Sequence, residues 1–399
     1  MSSLRLVLAQ LRRRPLQTAL GVILLALGIA TLVFVTLVHG QLSRQLERDA
    51  RHVDLVVGAK GSPLQLVLSA VYQVDVPTGN VPLATLAQLR GNRLVAQAIP
   101  LSLGDSFRGF RIVGTELPYV DLHEARLAVG RSWERPMEAV LGAEVARTSG
   151  LAIGSTLFGT HGLAEGGAVH EDAKYEVVGI LAPTGSVIDR LVLTDTASVW
   201  RLHEGEAADD EERKTLEAER EITAIIVRYA SPMAAAILPR QVNAESRLMA
   251  ASPANEIARL FAVVGVGIDT MRAFAWILVG SALLSLFVTL FNALEERRYD
   301  IAIMRLLGAG RARIAWLMML EAWLLAAMAL VSGFAIGLGA VAVVGHWLAA
   351  ARAFTLTAAE FAPALAATVL VALAVTTLAA ALPAWRASRM DVARTLAQG

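Results

Sequence analysis

Four stretches of this chain run apolar for membrane-crossing length, and polar, turn-rich sequence fills the space between them. The first, Ala19 to Val38, and the second, Ala273 to Leu294, carry no charge. The third, Ile314 to Val344, carries one acid, Glu321. The fourth, Phe361 to Ala384, is uncharged, with Pro363 and Pro383 near its ends. A bilayer core about 30 Å thick needs roughly 20 such residues in a helix, so the pattern predicts four transmembrane helices. A soluble protein with four buried helices would rarely leave every face of each helix without charge.

Between the first and second apolar stretches the pattern changes. "QLSRQLERDARHVDLVV" begins as a polar helical continuation and turns strand-like at Leu55 to Val57. Short β-branched runs then alternate with turns: "FRIVGT", "EAVLG", "YEVVGIL", "RLVLTD" and "TAIIVRY", with helical pieces such as "GAEVARTSGL" among them. Their shortness and uneven spacing predict an α+β domain rather than a doubly wound sheet. From Ser252 a capped helix runs into the second apolar stretch, as a stalk joined to a span. The expected organisation is therefore an N-terminal segment 1–18, a span 19–38, an outer domain 39–251, a stalk and span 252–294, a charged segment 295–313, a span 314–344, a short loop 345–360, a span 361–384 and a tail 385–399.

Charge sets the orientation. Arg5, Arg12, Arg13 and Arg14 precede the first span, and Arg386, Arg389 and Arg394 follow the fourth. The charged segment adds Arg297, Arg298, Arg305, Arg311 and Arg313, whereas the loop after the third span offers only Arg352. The positive-inside bias then expects both termini and the charged segment in the cytoplasm, and the domain between the first two spans outside it. The first span reads as an uncleaved anchor, since "HGQLSRQLERDA" follows it rather than a small-x-small cleavage site. The composition agrees, with 55% hydrophobic residues among 399 and 18% charged. There is no cysteine, so the outer domain folds without disulfides. A net charge of +1 gives no reason to expect nucleic acid as a partner.

The sequence holds no engine of its own. G-x-x-x-x-G-K-[ST] is absent, and no Gly-Lys pair occurs. "GDS" at 104–106 lacks a nucleophile elbow and is expected in a turn before "FRIVGT". His161, His170, Glu171 and Asp172 lie in a glycine-rich loop with no compact zinc spacing. The acidic excursion 204–221 is expected to be a solvated face. Glu321, about two turns beyond Arg313, is a candidate intramembrane functional acid, and equally a structural acid paired with a neighbouring arginine or reaching the interface.

"EERRYDIAIMRLLGAG" predicts a short helix, with acids first, arginines later and glycines at its end. Tyr299, Ile303 and Leu306 share one face, while Ile301, Met304 and Gly308 lie nearer another. A generic interfacial anchor needs one apolar face, so a second suggests a docked partner.

That segment resembles the coupling helix of the FtsX/MacB-type permeases, in which an acid-arginine-arginine run leads into I-x-x-(M/L)-R-x-(L/I)-G-A. "VVGILAPTGSVIDRLVLTD", "EAVLGAEVARTSGLAIGSTL" and "FRIVGTELPY" look like the family's extracytoplasmic domain, and "LPAWRASRMDVARTL" is similar to its tail, departing at Val392 and Ala397. The resemblance implies a membrane protein of four transmembrane helices with an α+β extracytoplasmic domain on a helical stalk, set in a bacterial inner membrane. It implies an ATPase-coupling role for Glu295, Glu296, Arg297, Arg298, Ile301, Met304, Arg305, Leu307 and Gly308. With no fused nucleotide-binding domain, the chain would bind no cofactor, and ATP and magnesium would belong to a separate cytoplasmic ABC ATPase subunit. Further implied partners are a second permease subunit in a homodimer, membrane lipids, and a periplasmic adaptor or lipoprotein. The implied role is mechanotransmission that exports or extracts an envelope substrate. The alternative is a scaffold or sensor that recruits or activates an envelope enzyme.

Overall fold

The computed structural model describes residues 7, 12, 15–161, 169–205, 220–245, 247–350, 356 and 363–389. The side chains of His161, His170, Glu171 and Asp172, most of the acidic excursion, most of the loop 345–360 and the tail from 390 onward lie outside the described residues. The chain divides into two compact units, residues 1–42 with 264–399 and residues 43–263.

The first unit is helical. It holds most of the helix Pro15–Asp49, most of Pro253–Glu296, the short helix Arg298–Leu306, and the helices Arg311–Ala350 and Pro363–Ser388. Four of these are long and apolar enough to cross a membrane. Leu25, Ala26, Ile29 and Val33 of the first helix form one core with Val279, Ala282, Ala329 and Ala372. Leu286, Leu290 and Leu294 form a second with Ile314, Met318, Ala322 and Ala380. Outward-facing side chains such as Ile277, Val331, Leu370 and Leu378 are exposed. So large an apolar surface would drive aggregation in water, and it suits hydrocarbon.

Small residues let two of the helices meet closely. A Cβ on Gly333 would come within 2.8 Å of the Ala26 carbonyl oxygen, and one on Gly337 within 2.9 Å of that of Ala30. These glycines are four apart, on one helix face, and form a G-x-x-x-G seat for the first helix. Trp323 Nε1 adds a hydrogen bond to Thr377 Oγ1 of the last helix at 3.1 Å.

The second unit is an α/β layer domain. Its strands are β1 Leu55–Ala59, β2 Val81–Pro82, β3 Val95–Phe107, β4 Phe110–Thr115, β5 Leu127–Gly130, β6 Glu138–Leu141, β7 Thr156–His161, β8 Val169–Leu181, β9 Leu191–Asp195, β10 Glu221–Ile222, β11 Ala224–Tyr229 and β12 Leu248–Ala251. The main sheet runs β12-β1-β11-β3-β4-β9-β6-β8-β5, with β7 bridging β3 and β8, and β2 pairs with β10 apart from it. It is mixed, since β4–β9 and β6–β8 are parallel pairs. The all-buried "FRIVGT" of β4 sits mid-sheet, as a run without polar alternation should. Helices Leu83–Arg90 and Ala234–Ala244 supply Leu86, Leu89, Leu238 and Val242 to a core with Leu55, Val57 and Ile225. A second core gathers Ile112, Leu141, Val145, Tyr175 and Val192.

The turn before "FRIVGT" is not at "GDS". Gly104 to Ser106 lie within β3, and the chain reverses at Arg108 and Gly109, both with positive φ (47° and 79°). A two-residue hairpin with a type I′ turn has positive φ at both central positions, which matches the strand twist, and Arg108-Gly109 meets that need. Ser106 is buried in the sheet with its hydroxyl 3.3 Å from that of Thr160, a structural setting rather than that of a nucleophile.

Candidate functional site

The segment between the second and third spans carries most of the sequence-predicted residues. The long helix extends to Glu296, so Glu295 and Glu296 close that helix rather than open the short one. Arg297 makes the break at φ −101° and ψ 9°, and the short helix begins at Arg298. Its end is a Schellman motif: Ala309 N–H donates to the Met304 carbonyl at 2.9 Å and Gly308 N–H to that of Arg305 at 3.1 Å. Gly308 holds φ +93°, which explains the glycine there.

The short helix has an inner and an outer face. Ile301 and Ala302 are buried, and Ile301 and Met304 pack on Leu294, Ile314 and Met318. Tyr299, Ile303, Leu306 and Leu307 are exposed, Leu306 at 65% and Leu307 at 83%. Two arginines tie the helix to its neighbours. Arg297 Nη1 lies 3.3 Å from the carboxylate of Glu321, which is 5% exposed in the third span. Arg305 Nη1 donates to the Ser388 carbonyl at 3.3 Å, at the C-terminus of the last helix, where a cation is favoured. Arg298 pairs with Glu295 at 2.7 Å on the surface, an exposed ion pair of small energetic weight. The structure thus unites Arg297 with Glu321, and gives Arg305 to an internal contact rather than the open face.

Residues 18–245 match the family described as the MacB-like periplasmic core domain, and residues 272–392 match the FtsX-like permease C-terminal family. The chain belongs to the FtsX/MacB-type permease family. It is a permease of the ABC-transporter kind, with four membrane-capable helices and an extracytoplasmic α/β domain between the first and second. Members of this family work with ABC ATPase partners. Among solved structures, the permease is similar to the periplasmic region of MacB from Actinobacillus actinomycetemcomitans, at 10% identity and a TM-score of 0.34 over 54% of this chain and 95% of that one. It is also similar to the extracellular domain of the noncanonic ABC-type transporter YknZ from Gram-positive bacteria, at 12% identity and a TM-score of 0.30 over 50% and 98%. No curated protein matches it.

Within its second unit the permease has a further contact that sequence reasoning missed. The last turns of the first helix are gripped by the loop 182–190 of the outer domain. Asp49, fully buried, accepts the Val187 N–H at 2.7 Å and Gln45 Nε2 at 3.1 Å. Arg48 and Gln45 both donate to the Gly185 carbonyl, at 2.9 and 3.2 Å. Asp189 braces the loop by accepting the Thr184 and Gly185 N–H groups at 3.0 and 2.7 Å. Burial lowers the Arg190 pKa, and the carboxylates of Asp49 and Asp189 oppose that shift. The quoted run "APTGSVIDR" held the signal in its turn residues, but its partner lies about 140 positions earlier. Among the described residues no cluster of histidines and acids could hold a metal.

Proposed function

We propose that this permease is the transmembrane subunit of an ABC transporter in which a separate ATPase drives movement of the extracytoplasmic domain, to export or extract an envelope substrate. The observation that carries the proposal is the open apolar face of Tyr299, Ile303, Leu306 and Leu307 on a helix otherwise anchored by Ile301, Arg297 and Arg305. A docked ATPase would cover that face. Displacement of the short helix would load the third span through Glu321 and the last helix through Ser388. It would also load the continuous helix Pro253–Glu296, whose 44 residues extend about 66 Å at 1.5 Å per residue.

A polar conduit through this chain is the weaker reading. Glu321 is the one ionisable residue within the four apolar runs, and it is occupied by Arg297. The arginine distribution supports cytoplasmic termini and a cytoplasmic short helix in a bacterial inner membrane. A homodimer, a periplasmic adaptor or lipoprotein, and bound lipids complete the proposed assembly, with ATP and magnesium held by the ATPase.

The test is purification from native membranes in mild detergent. The proposal expects a P-loop ATPase at near-equal stoichiometry, lost from the Leu306→Asp/Leu307→Asp variant while membrane insertion persists. No ATPase after crosslinking in the membrane would refute it and favour the scaffold reading.

A further inference from the structure

The outer domain contains a cleft of about 290 Å³ in which three arginines converge from different parts of the chain. Arg48 and Arg51 come from the end of the first helix and the turn after it, and Arg126 from the segment before β5. Thr184 and Ser186 also line it, but their hydroxyls are 2.8 Å apart and Thr184 Oγ1 donates to Asp189 at 2.9 Å. Arg48 is held by the Gly185 carbonyl. The Arg51 and Arg126 guanidiniums have no protein partner among the described residues. Among the described residues Glu124 is the sole carboxylate on the lining, and it lies 3.9 Å from His52 Nε2. The nearby carboxylates of Asp49 and Asp189 are engaged by backbone N–H groups. His123 completes the wall as a neutral ring, its pKa lowered to about 4 by burial and by the nearby His52. The lining therefore carries a net charge of about +2 around pH 7.

The walls are fixed rather than loose. Ala182 N–H donates to the Arg126 carbonyl at 2.7 Å, and His52 Nδ1 lies 3.2 Å from the Leu122 carbonyl oxygen. His52 and Glu124 both hold left-handed backbone, with φ of 67° and 52°, at the rim. Such conformations cost of order 1–3 kcal/mol each and persist where the surroundings enforce them. Guanidiniums with unused donors match the acceptor-rich, anionic surface of a phosphate ester. The volume is near the low end of small-molecule sites, about 300–1,000 Å³, and suits a phosphate ester rather than a long chain.

We propose that this cleft binds a phosphate ester, with Arg51 and Arg126 as the principal ligands and Arg48 assisting. The ester could reach it as a soluble molecule or as a phospholipid headgroup, and both present anionic phosphate oxygens that accept from guanidinium donors. The test uses the full-length permease and two sources of phosphate. Thermal unfolding in a sugar-headgroup detergent is followed with glycerol 3-phosphate against potassium chloride at equal ionic strength, and then with and without added phosphatidylglycerol. A rise in melting temperature with glycerol 3-phosphate identifies a soluble ester. A rise only with phosphatidylglycerol identifies a headgroup. In either case Arg51→Gln/Arg126→Gln is expected to weaken the response about tenfold or more, and Arg126→Gln alone by a smaller factor. No response in either arm, or an unchanged response in the double variant, would overturn the assignment. Both arginines are exposed, so the variants should fold as the parent does, which their melting temperature without ligand verifies.

Discussion

Arg297, at the break between two helices, holds the buried carboxylate of Glu321 from the third span at 3.3 Å. An ion pair placed so far from water costs desolvation on both sides, and its net worth to stability is small. Breaking it is different, because one charge is left without its partner. Glu321→Ala is expected to destabilise the permease by about 3 kcal/mol, at the low end for buried pairs since Arg297 keeps some exposure. The double change Arg297→Met/Glu321→Leu should recover most of that loss in detergent unfolding. If the pair also carries force, the double variant still loses ATPase stimulation. Wild-type stimulation in a stable double variant would confine Glu321 to a structural role.

The seat formed by Gly333 and Gly337 predicts a sharper packing effect. Any side chain there meets the backbone oxygens of Ala26 and Ala30, which cannot yield as a flexible side chain would. Gly337→Leu should separate the first and third spans and lower stability by roughly 1–3 kcal/mol or more, while Gly339→Leu, whose Cβ meets open space, should be nearly neutral. Equal melting temperatures for the two variants would show that the spans have room to adjust.

These residues mark where the sequence could be read and where it could not. The spans follow from length and charge alone, and "FRIVGT", "YEVVGIL", "RLVLTD" and "TAIIVRY" fall in or across strands β4, β8, β9 and β11 because their composition is local information. The glycines of "GFAIG" were equally visible, but a hydropathy window treats them as more apolar length and hides their spacing. The two apolar faces of the short helix follow from its period, whereas the fate of Arg305 does not. Its partner, the Ser388 carbonyl, is set by tertiary packing 83 residues away. The same holds for the arginine cleft, whose members are drawn from three separate segments.

The grip on the first helix gives a separable prediction. Asp49→Ala removes the acceptor of the buried Val187 N–H and of Gln45, and a buried donor left without an acceptor costs about 1–3 kcal/mol. The outer domain should open locally, so that amide exchange at Val187 quickens by tenfold or more while the membrane helices keep their protection. Unchanged exchange at Val187 would mean that a neighbouring group or water replaces the carboxylate.

His123 makes the stability of the outer domain depend on pH. Burial holds its pKa at about 4, below the usual 6.5, with His52 adding to the shift. The folded protein therefore keeps a neutral imidazole where the unfolded chain already binds a proton. Between pH 6.5 and 4 the unfolded state carries the extra proton, so stability rises with pH across that window. The contribution is complete above about pH 6.5 and is lost as pH falls toward 4, by roughly 2–3 kcal/mol at most. His123→Phe keeps an aromatic ring against Tyr119, whose ring centroid lies 4.8 Å away in an edge-on arrangement, and removes the titration. His52 and Glu124 remain in that variant, so the difference between the two curves of unfolding free energy against pH isolates His123. The curves should converge in shape above pH 7 and separate as the pH falls from 6.5 to 4, with the wild type losing more. Parallel curves through that range would show that His123 takes up its proton in the folded state as readily as in the unfolded chain.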